Sequence, residues 1–302
     1  MIRVRVPATS ANLGPGFDAF GIALSLFNDF IFREKSDERL PKGYGLLGAG
    51  NLAENAVRLF ASRGGFAMPQ NLEIGIRARV PRSRGLGSSA TLSVAGLAAA
   101  NAWFKAGLGE EELLALAACL EGHPDNAAPA ILGGFVISVK EGEQVRYLQT
   151  VPPKPLKVVA AVPEFELKTA DSRKVLPKQV DFNDAIYNEA RAGLLAGALI
   201  TGRYELLRTA MLDRLHQPYR MPLVKGLEQV MAAALEAGAL GACLSGSGPT
   251  VLVFCPADKK FFNGRSQADR ISQAVCGAWL EAGVKSRCYH LDVAKKGYLL
   301  TE

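Results

Sequence analysis
An α+β fold divided between two domains is what this sequence predicts. Strand-like and helix-like segments both recur along the chain, no repeat or low-complexity tract interrupts them, and a proline-rich break falls near the middle. Val4 and Val6 begin a first strand, and the apolar-rich stretch from Phe20 to Phe32 supplies one or two more. Residues Asn51 to Ser62 fit a helix closed by Gly64-Gly65. Leu72, Ile74 and Ile76 alternate with Glu73, Gly75 and Arg77, the period of a half-buried strand. Helices are expected from about Ser89 to Lys105 and from Glu110 to Cys119, each ended by a glycine, and a hairpin from Gly134 to Lys140 and Val145 to Thr150. Val151-Pro152-Pro153-Lys154-Pro155 is stiff and poor in backbone donors, which divides the chain into domains 1–152 and 153–302.

The second domain opens on Leu156 to Val162, an apolar run that reads as a buried strand, followed by helices near Phe182 to Ala198, Tyr204 to Leu215 and Leu223 to Ala237. Gly241 to Ser245 and Thr250 to Phe254 form a hairpin, and an amphipathic helix from about Ser266 to Ala282 precedes a last strand, Ser286 to Leu291. Sheets with helices on one face are the arrangement these segments fit best.

Composition narrows the class. The chain has 302 residues, 49% hydrophobic and 21% charged, enough to bury a substantial core. Its five cysteines (Cys119, Cys243, Cys255, Cys276, Cys288) are odd in number, widely spread and contain no C-x-x-C pair, so neither a disulfide framework nor a zinc site is expected. A reducing cytoplasm is the natural compartment. No apolar run reaches the ~20 residues of a membrane helix, and the charged start Met1-Ile2-Arg3-Val4-Arg5 does not read as a signal peptide. The net charge of +6 and the cluster Arg77, Arg79, Arg82, Arg84 raise the question of nucleic acid, but no aromatics interleave with the arginines. A solvated strand edge would explain that cluster; a positive field that draws in nucleotide phosphates explains it better.

The most informative segment is Pro81-Arg82-Ser83-Arg84-Gly85-Leu86-Gly87-Ser88-Ser89-Ala90-Thr91, a glycine-serine loop between a strand pattern and an alanine-rich helix. Gly85 and Gly87 let the backbone approach a ligand, and Ser88 or Ser89 is expected to cap the helix, whose free N–H groups then face an anion. An ordinary strand-to-helix turn could look the same. No lysine follows the glycines, which excludes the P-loop pattern, and no G-x-G-x-x-G spacing marks a Rossmann fingerprint. Two further loops strengthen the phosphate reading: Pro7-Ala8-Thr9-Ser10-Ala11-Asn12-Leu13-Gly14-Pro15-Gly16-Phe17-Asp18, and Leu244-Ser245-Gly246-Ser247-Gly248-Pro249-Thr250.

In order and separation these loops resemble the three motifs of the GHMP kinases, the small-molecule kinases named for galactokinase, homoserine kinase, mevalonate kinase and phosphomevalonate kinase. The wording from Val6 to Asp18, and Glu121-Gly122-His123-Pro124-Asp125-Asn126-Ala127-Ala128-Pro129-Ala130 followed by Gly133-Gly134, are similar to the homoserine kinase branch; the resemblance runs from Arg3 to about His290. It implies a first domain like domain 2 of ribosomal protein S5, a ferredoxin-like second domain, and an active site in the cleft between them. It also implies ATP and Mg2+ as cofactors and L-homoserine as the small-molecule substrate; family members are often dimers, but the sequence leaves open whether this chain forms a homodimer.

The same resemblance assigns Pro81 to Thr91 to the triphosphate, with Ser88 or Ser89 reaching the metal beside Glu121. The resemblance leaves open which of the two serines touches the metal; Ser88 is taken with Glu121 as the metal pair. A homoserine site needs partners for a carboxylate and an ammonium. Arg173 and Arg220 match the carboxylate positions, where the arginine fork suits two oxygens, though surface arginines are common. Asp18 would face the ammonium or hydroxyl, with Asn12 orienting it, and His123 makes a third substrate contact. Catalytic roles fall to Asn126, Asp18 and Glu121. Asn126 stands where several sister kinases have an aspartate, and since asparagine takes no proton, catalysis by positioning and charge neutralisation is implied. Asp125 is a rival base that also reads as a turn-capping residue; Ser245-Gly246-Ser247-Gly248 has a supporting role; His216, His290 and the cysteines read as structural. The alternatives are a sister kinase acting on another alcohol such as mevalonate, and a nucleotide-binding regulator without turnover.

Overall fold
The computed structural model describes residues 1–257 and 266–301. The first half begins with β1 (Ile2–Ala11) and β2 (Phe20–Glu34), a long antiparallel pair whose register slips between Pro7 and Ala8. A proline tolerates that irregularity because it has no ladder N–H to lose. There follow β3 (Gly45–Leu46), α1 (Leu52–Gly64), β4 (Leu72–Arg77), α2 (Ser88–Phe104), α3 (Glu110–Glu121), α4 (Ala127–Leu132), and the expected hairpin β5 (Phe135–Glu141) with β6 (Gln144–Thr150). β4 pairs with one end of β2 and β5 with the other.

Helix α2 has no polar face because it is the buried central helix of this half: Ala90 to Ala100 are buried apart from Leu92, which is half-buried. Its alanines and Gly96 let α1 pack closely, and a Cβ at Gly96 would collide with Ala53 O. The cluster includes Val4, Val6, Phe30, Phe32, Phe60 and Leu97. A helix held this way has a fixed axis, so its N-terminus is a fixed point in the cleft.

The second half comprises β7 (Lys157–Pro163), α5 (Thr169–Lys174), α6 (Phe182–Thr201), α7 (Leu207–Ala210), α8 (Gln217–Arg220), α9 (Leu227–Glu236), β8 (Gly241–Leu244), β9 (Val251–Cys255), α10 (Gln267–Glu281), β10 (Ser286–Asp292) and β11 (Leu299–Thr301). β10-β7-β9-β8 form an antiparallel four-stranded sheet. The helix expected from Tyr204 to Leu215 breaks into a 3-10 turn at Tyr204–Leu206, the single turn of α7 and a loop, where Asp213 accepts from the amides of Leu215, His216 and Gln217.

Helices on one face of the sheet were expected; both faces are covered. Val159 and Ala161 of β7 pack with α9 and α10, while Val158, Ala160 and Val162 enter a second cluster with Leu195 and Leu199 of α6 and with Ile22, Leu24 and Phe135 of the first half. This double burial explains why β7 is a continuous apolar run rather than an alternating one. The shared cluster makes the two halves one packed unit around the cleft.

A boundary at residues 152/153 assigns the end of the chain to the second domain, and here the fold differs. After β10 the chain crosses back, Ala294 N donating to Ala23 O, and β11 pairs with β1 at the edge of the first sheet. Among the described residues that sheet has seven strands.

Candidate active site
Three loops far apart in sequence converge on a cleft of about 460 Å3. They are the β1–β2, β4–α2 and β8–β9 connections, and backbone bonds stitch them together: Gly246 N to Ala11 O at 3.0 Å, Thr9 N to Leu86 O at 3.2 Å, and Thr250 N to Arg84 O at 3.4 Å. Ser245 Oγ lies 2.6 Å from Gly85 O and 2.8 Å from Ser10 Oγ. Gly85 sits at φ +74°, and a Cβ there would run into Ser245 O. Gly85→Ala is therefore expected to lose at least about 1–2 kcal/mol from the left-handed backbone alone, with the third loop pushed off. Thermal unfolding would show this as a fall of several degrees in Tm, and an unchanged Tm would contradict the packing described.

Helix α2 starts at Ser88. Its N-cap is Gly87, at φ +65° and without a side-chain cap bond, so neither Ser88 nor Ser89 caps the helix as the sequence suggests. Thr91 N bonds to Gly87 O, which leaves the amides of Ser88, Ser89 and Ala90 without intrahelical acceptors, and all three residues line the cleft. Free N–H groups and the positive end of the helix dipole make this terminus suited to an anion. Arg82, Ser83, Arg84, Gly85 and Gly87 also line the cleft; Pro81, Leu86 and Thr91 do not. Leu86 is buried in the shared core, and Thr91 Oγ1 donates to Ser88 O (2.8 Å) while accepting from Asn28 Nδ2 (2.9 Å). Asn28 Oδ1 further accepts from the amides of Arg79 and Val80, so a polar residue inside the apolar run of β2 carries the base of the loop. Arg84 bolts the loop to the second half, its Nε donating to Pro163 O at 3.0 Å.

Glu121, the last residue of α3, faces the start of α2. Ser89 Oγ reaches Oε1 and Oε2 at 3.0 and 2.9 Å, and Ser93 Oγ reaches Oε1 at 2.5 Å. Of the two serines left as candidates for the metal, Ser88 lines the cleft without a bond to this carboxylate, and Ser89 is the one brought to it. Ser93 escaped the sequence reading, although its i,i+4 spacing from Ser89 puts both hydroxyls on one helix face. A carboxylate flanked by hydroxyls is a set of hard oxygen donors of the kind Mg2+ takes.

Across the cleft, Asp18 (φ +56°) and Arg173 of α5 form a bidentate pair, Nη1 to Oδ2 at 3.0 Å and Nη2 to Oδ1 at 2.6 Å. Arg173, expected on a substrate carboxylate, is thus engaged by Asp18, whose hydrogen bonds hold the guanidinium pKa up. Asn12 joins two loops: its Oδ1 accepts from Asp18 N and its Nδ2 donates to Gly246 O. Arg220 at the end of α8 is 1% exposed. Nε donates to Ser172 O and Nη1 to Gly246 O, with Nη1 also against His216 Nδ1; Nη2 is in none of these bonds, and among the described residues no carboxylate pairs with the group. Burial pushes its pKa down to about 10. His216 has the structural role expected of it, its Nε2 meeting Gly14 O at 2.6 Å, and burial pushes its pKa down.

His123 and Asp125 line the same wall. Asp125 is 2% exposed, and its Oδ1 takes a short bond from His123 Nδ1, so it orients the imidazole rather than merely capping a turn. That bond holds the His123 pKa up. Its stabilisation is complete below the unfolded-state value of about 6.5 and is lost as pH rises through the raised folded-state value. Asp125→Asn is accordingly expected to lower the His123 pKa in an NMR titration; an unmoved midpoint would contradict the pairing. Asp18, His123 and Asp125 place ligand atoms within 4.8 Å of one another. Arg173 and His123 already meet those two carboxylates, whereas among the described residues Glu121 has only hydroxyl partners. Asn126 lines the cleft between the two halves of the site, with Thr9 Oγ1 donating to its Oδ1 at 2.8 Å.

The free amides at the start of α2, the Glu121 carboxylate beside them and the arginines across the cleft suit a small-molecule kinase site. Residues 51–134 match the GHMP kinase N-terminal domain model and residues 195–281 the C-terminal one, and the chain belongs to the GHMP kinases. It is 46% identical to a homoserine kinase of Moorella thermoacetica, covering 97% of this chain and 98% of that one. A homoserine kinase of Halothermothrix orenii is 37% identical, with coverage of 99% and 96%. The crystal structure of homoserine kinase from Cytophaga hutchinsonii superposes with a TM-score of 0.84 at 29% identity, covering 99% of this chain and 97% of that one. L. major mevalonate kinase, at 17% identity and a TM-score of 0.70, shares the fold; the coverage is 96% and 94%.

Proposed function
We propose that this protein transfers the γ-phosphoryl group of ATP to the side-chain hydroxyl of L-homoserine, making O-phospho-L-homoserine for threonine biosynthesis in the cytoplasm. Arg220 is the observation that carries the substrate assignment: a buried guanidinium with one edge open and no carboxylate partner suits a substrate that brings its own. Arg173 completes the carboxylate pocket once Asp18 turns to the substrate ammonium. His123 adds a polar contact at the same wall. Among the described residues no helix is long and apolar enough to cross a membrane.

Phosphoryl transfer needs positioning and charge neutralisation more than covalent help. The amides of Ser88, Ser89 and Ala90 and the dipole of α2 hold phosphate oxygens. Glu121 and Ser89 would hold Mg2+, which when bound neutralises charge on the transferring group. Asn126 cannot accept a proton, so it orients the hydroxyl by hydrogen bonding, and the proton leaves late, to an oxygen of the transferring phosphoryl group. The test is ADP release with L-homoserine, mevalonate and other small alcohols at saturation. L-Homoserine is expected to be turned over fastest; faster turnover of mevalonate would overturn the substrate, and no turnover of any alcohol would overturn the kinase.

A further inference from the structure
We propose that Thr9 is a positioning residue that locks the acceptor half of the site to the phosphate loop, by holding the amide oxygen of Asn126 in the place that turns its amide nitrogen toward the acceptor hydroxyl. The inference rests on the kinase reading above. Thr9 is wholly buried on β1. Its N–H bonds to Leu86 O of the phosphate loop, and its Oγ1 bonds to Asn126 Oδ1. On the other side of the amide, Asn126 Nδ2 lies 3.4 Å from Asp125 Oδ1. A carboxylate only accepts, so the amide nitrogen must face Asp125 and the amide oxygen must face the Thr9 hydroxyl. Turning the amide over would set two acceptors against each other. The second Nδ2 proton is therefore what Asn126 offers the cleft, a donor for the lone pair of the acceptor oxygen. Gly87 lies against the same hydroxyl: a Cβ at that position would collide with Thr9 Oγ1. One buried side chain thus touches the group that orients the acceptor and the residue that caps the phosphate-binding helix.

The test compares Thr9→Val, Thr9→Ala and Thr9→Ser on whichever alcohol the wild type phosphorylates, with thermal unfolding as the check on folding. Valine keeps the shape and removes the donor. Both apolar variants are expected to lose about 10- to 100-fold in kcat, the scale of a misplaced reacting group, with KM for both substrates within about twofold. Serine is expected to restore kcat to within about threefold of wild type. Full kcat in Thr9→Val, an equal loss in Thr9→Ser, or a loss carried by KM would overturn the proposal. Failure of the wild type to phosphorylate any alcohol would instead strike the kinase reading.

An independent observation concerns two of the cysteines read as structural from the sequence. Cys276 of α10 and Cys288 of β10 are half-buried with their Sγ atoms 3.2 Å apart. We infer that this pair forms a reversible intramolecular disulfide with a small disulfide oxidant such as glutathione disulfide. The hydrogen bond shared by the two thiols pushes the Cys276 pKa down and the Cys288 pKa up, so Cys276 supplies the thiolate. Its thiolate attacks one oxidant sulfur, breaking that S–S bond and releasing one glutathione thiolate. Cys288, having lost its proton to solvent, then attacks Cys276 Sγ and releases the second; two thiols are oxidised and one disulfide is reduced. Peptide mapping after oxidation is expected to find residues 276 and 288 cross-linked, Cys288→Ser to hold glutathione on Cys276, and Cys276→Ser to remain unmodified at Cys288. Unlinked thiols, or a stable glutathione adduct in the wild type, would overturn the inference.

Discussion
Glu121→Gln is expected to cut kcat by roughly 10²- to 10³-fold, the scale on which enzymes lose a group that stabilises transition-state charge. The substitution is nearly isosteric, and the amide oxygen can still accept from Ser93 and Ser89, so the start of α2 keeps its supports. What disappears is the negative charge beside the start of α2, and with it the charged ligand that the proposed function gives the divalent cation. Turnover measured across a Mg2+ titration should show lower kcat and a higher half-activating concentration. Wild-type turnover in the variant would remove Glu121 from the metal site.

Arg220→Lys is expected to lower kcat/KM for L-homoserine by about 10- to 100-fold, from the ~1.5–3 kcal/mol of a hydrogen bond to a charged group. Lysine keeps the charge but loses the fork. Arg220 also holds Ser172 O and Gly246 O, so a structural loss must be separated from a lost substrate contact. 3-Aminopropan-1-ol makes the separation, since it carries the hydroxyl and ammonium without the carboxylate. The variant should match wild type on that alcohol; an equal loss on both would show that Arg220 acts only by holding the loops.

The three loops were legible because glycines and serines must recur wherever backbone has to approach phosphate, and the resemblance they carry extends over the whole family fold. β7 was legible for a different reason, an apolar run with both faces buried. What escaped lacked a periodic signal. α4, α5 and α8 are too short to display a helical repeat, and β11 has only three residues. Thr9, Asn28 and Ser93 are ordinary polar residues until the fold sets them against Asn126, Thr91 and Glu121. The Asp18–Arg173 pair joins positions separated by 155 residues. The capping serine was misplaced because the backbone of Gly87, not a hydroxyl, turns the chain into α2.

The most direct test is a crystal structure with L-homoserine and a non-hydrolysable ATP analogue. The γ-phosphate is expected within hydrogen-bond distance of the Ser88–Ala90 amides, with the homoserine carboxylate on Arg220 and its hydroxyl between Asn126 and that phosphate. A nucleotide bound elsewhere, with the start of α2 facing only solvent, would contradict the assignment of the site.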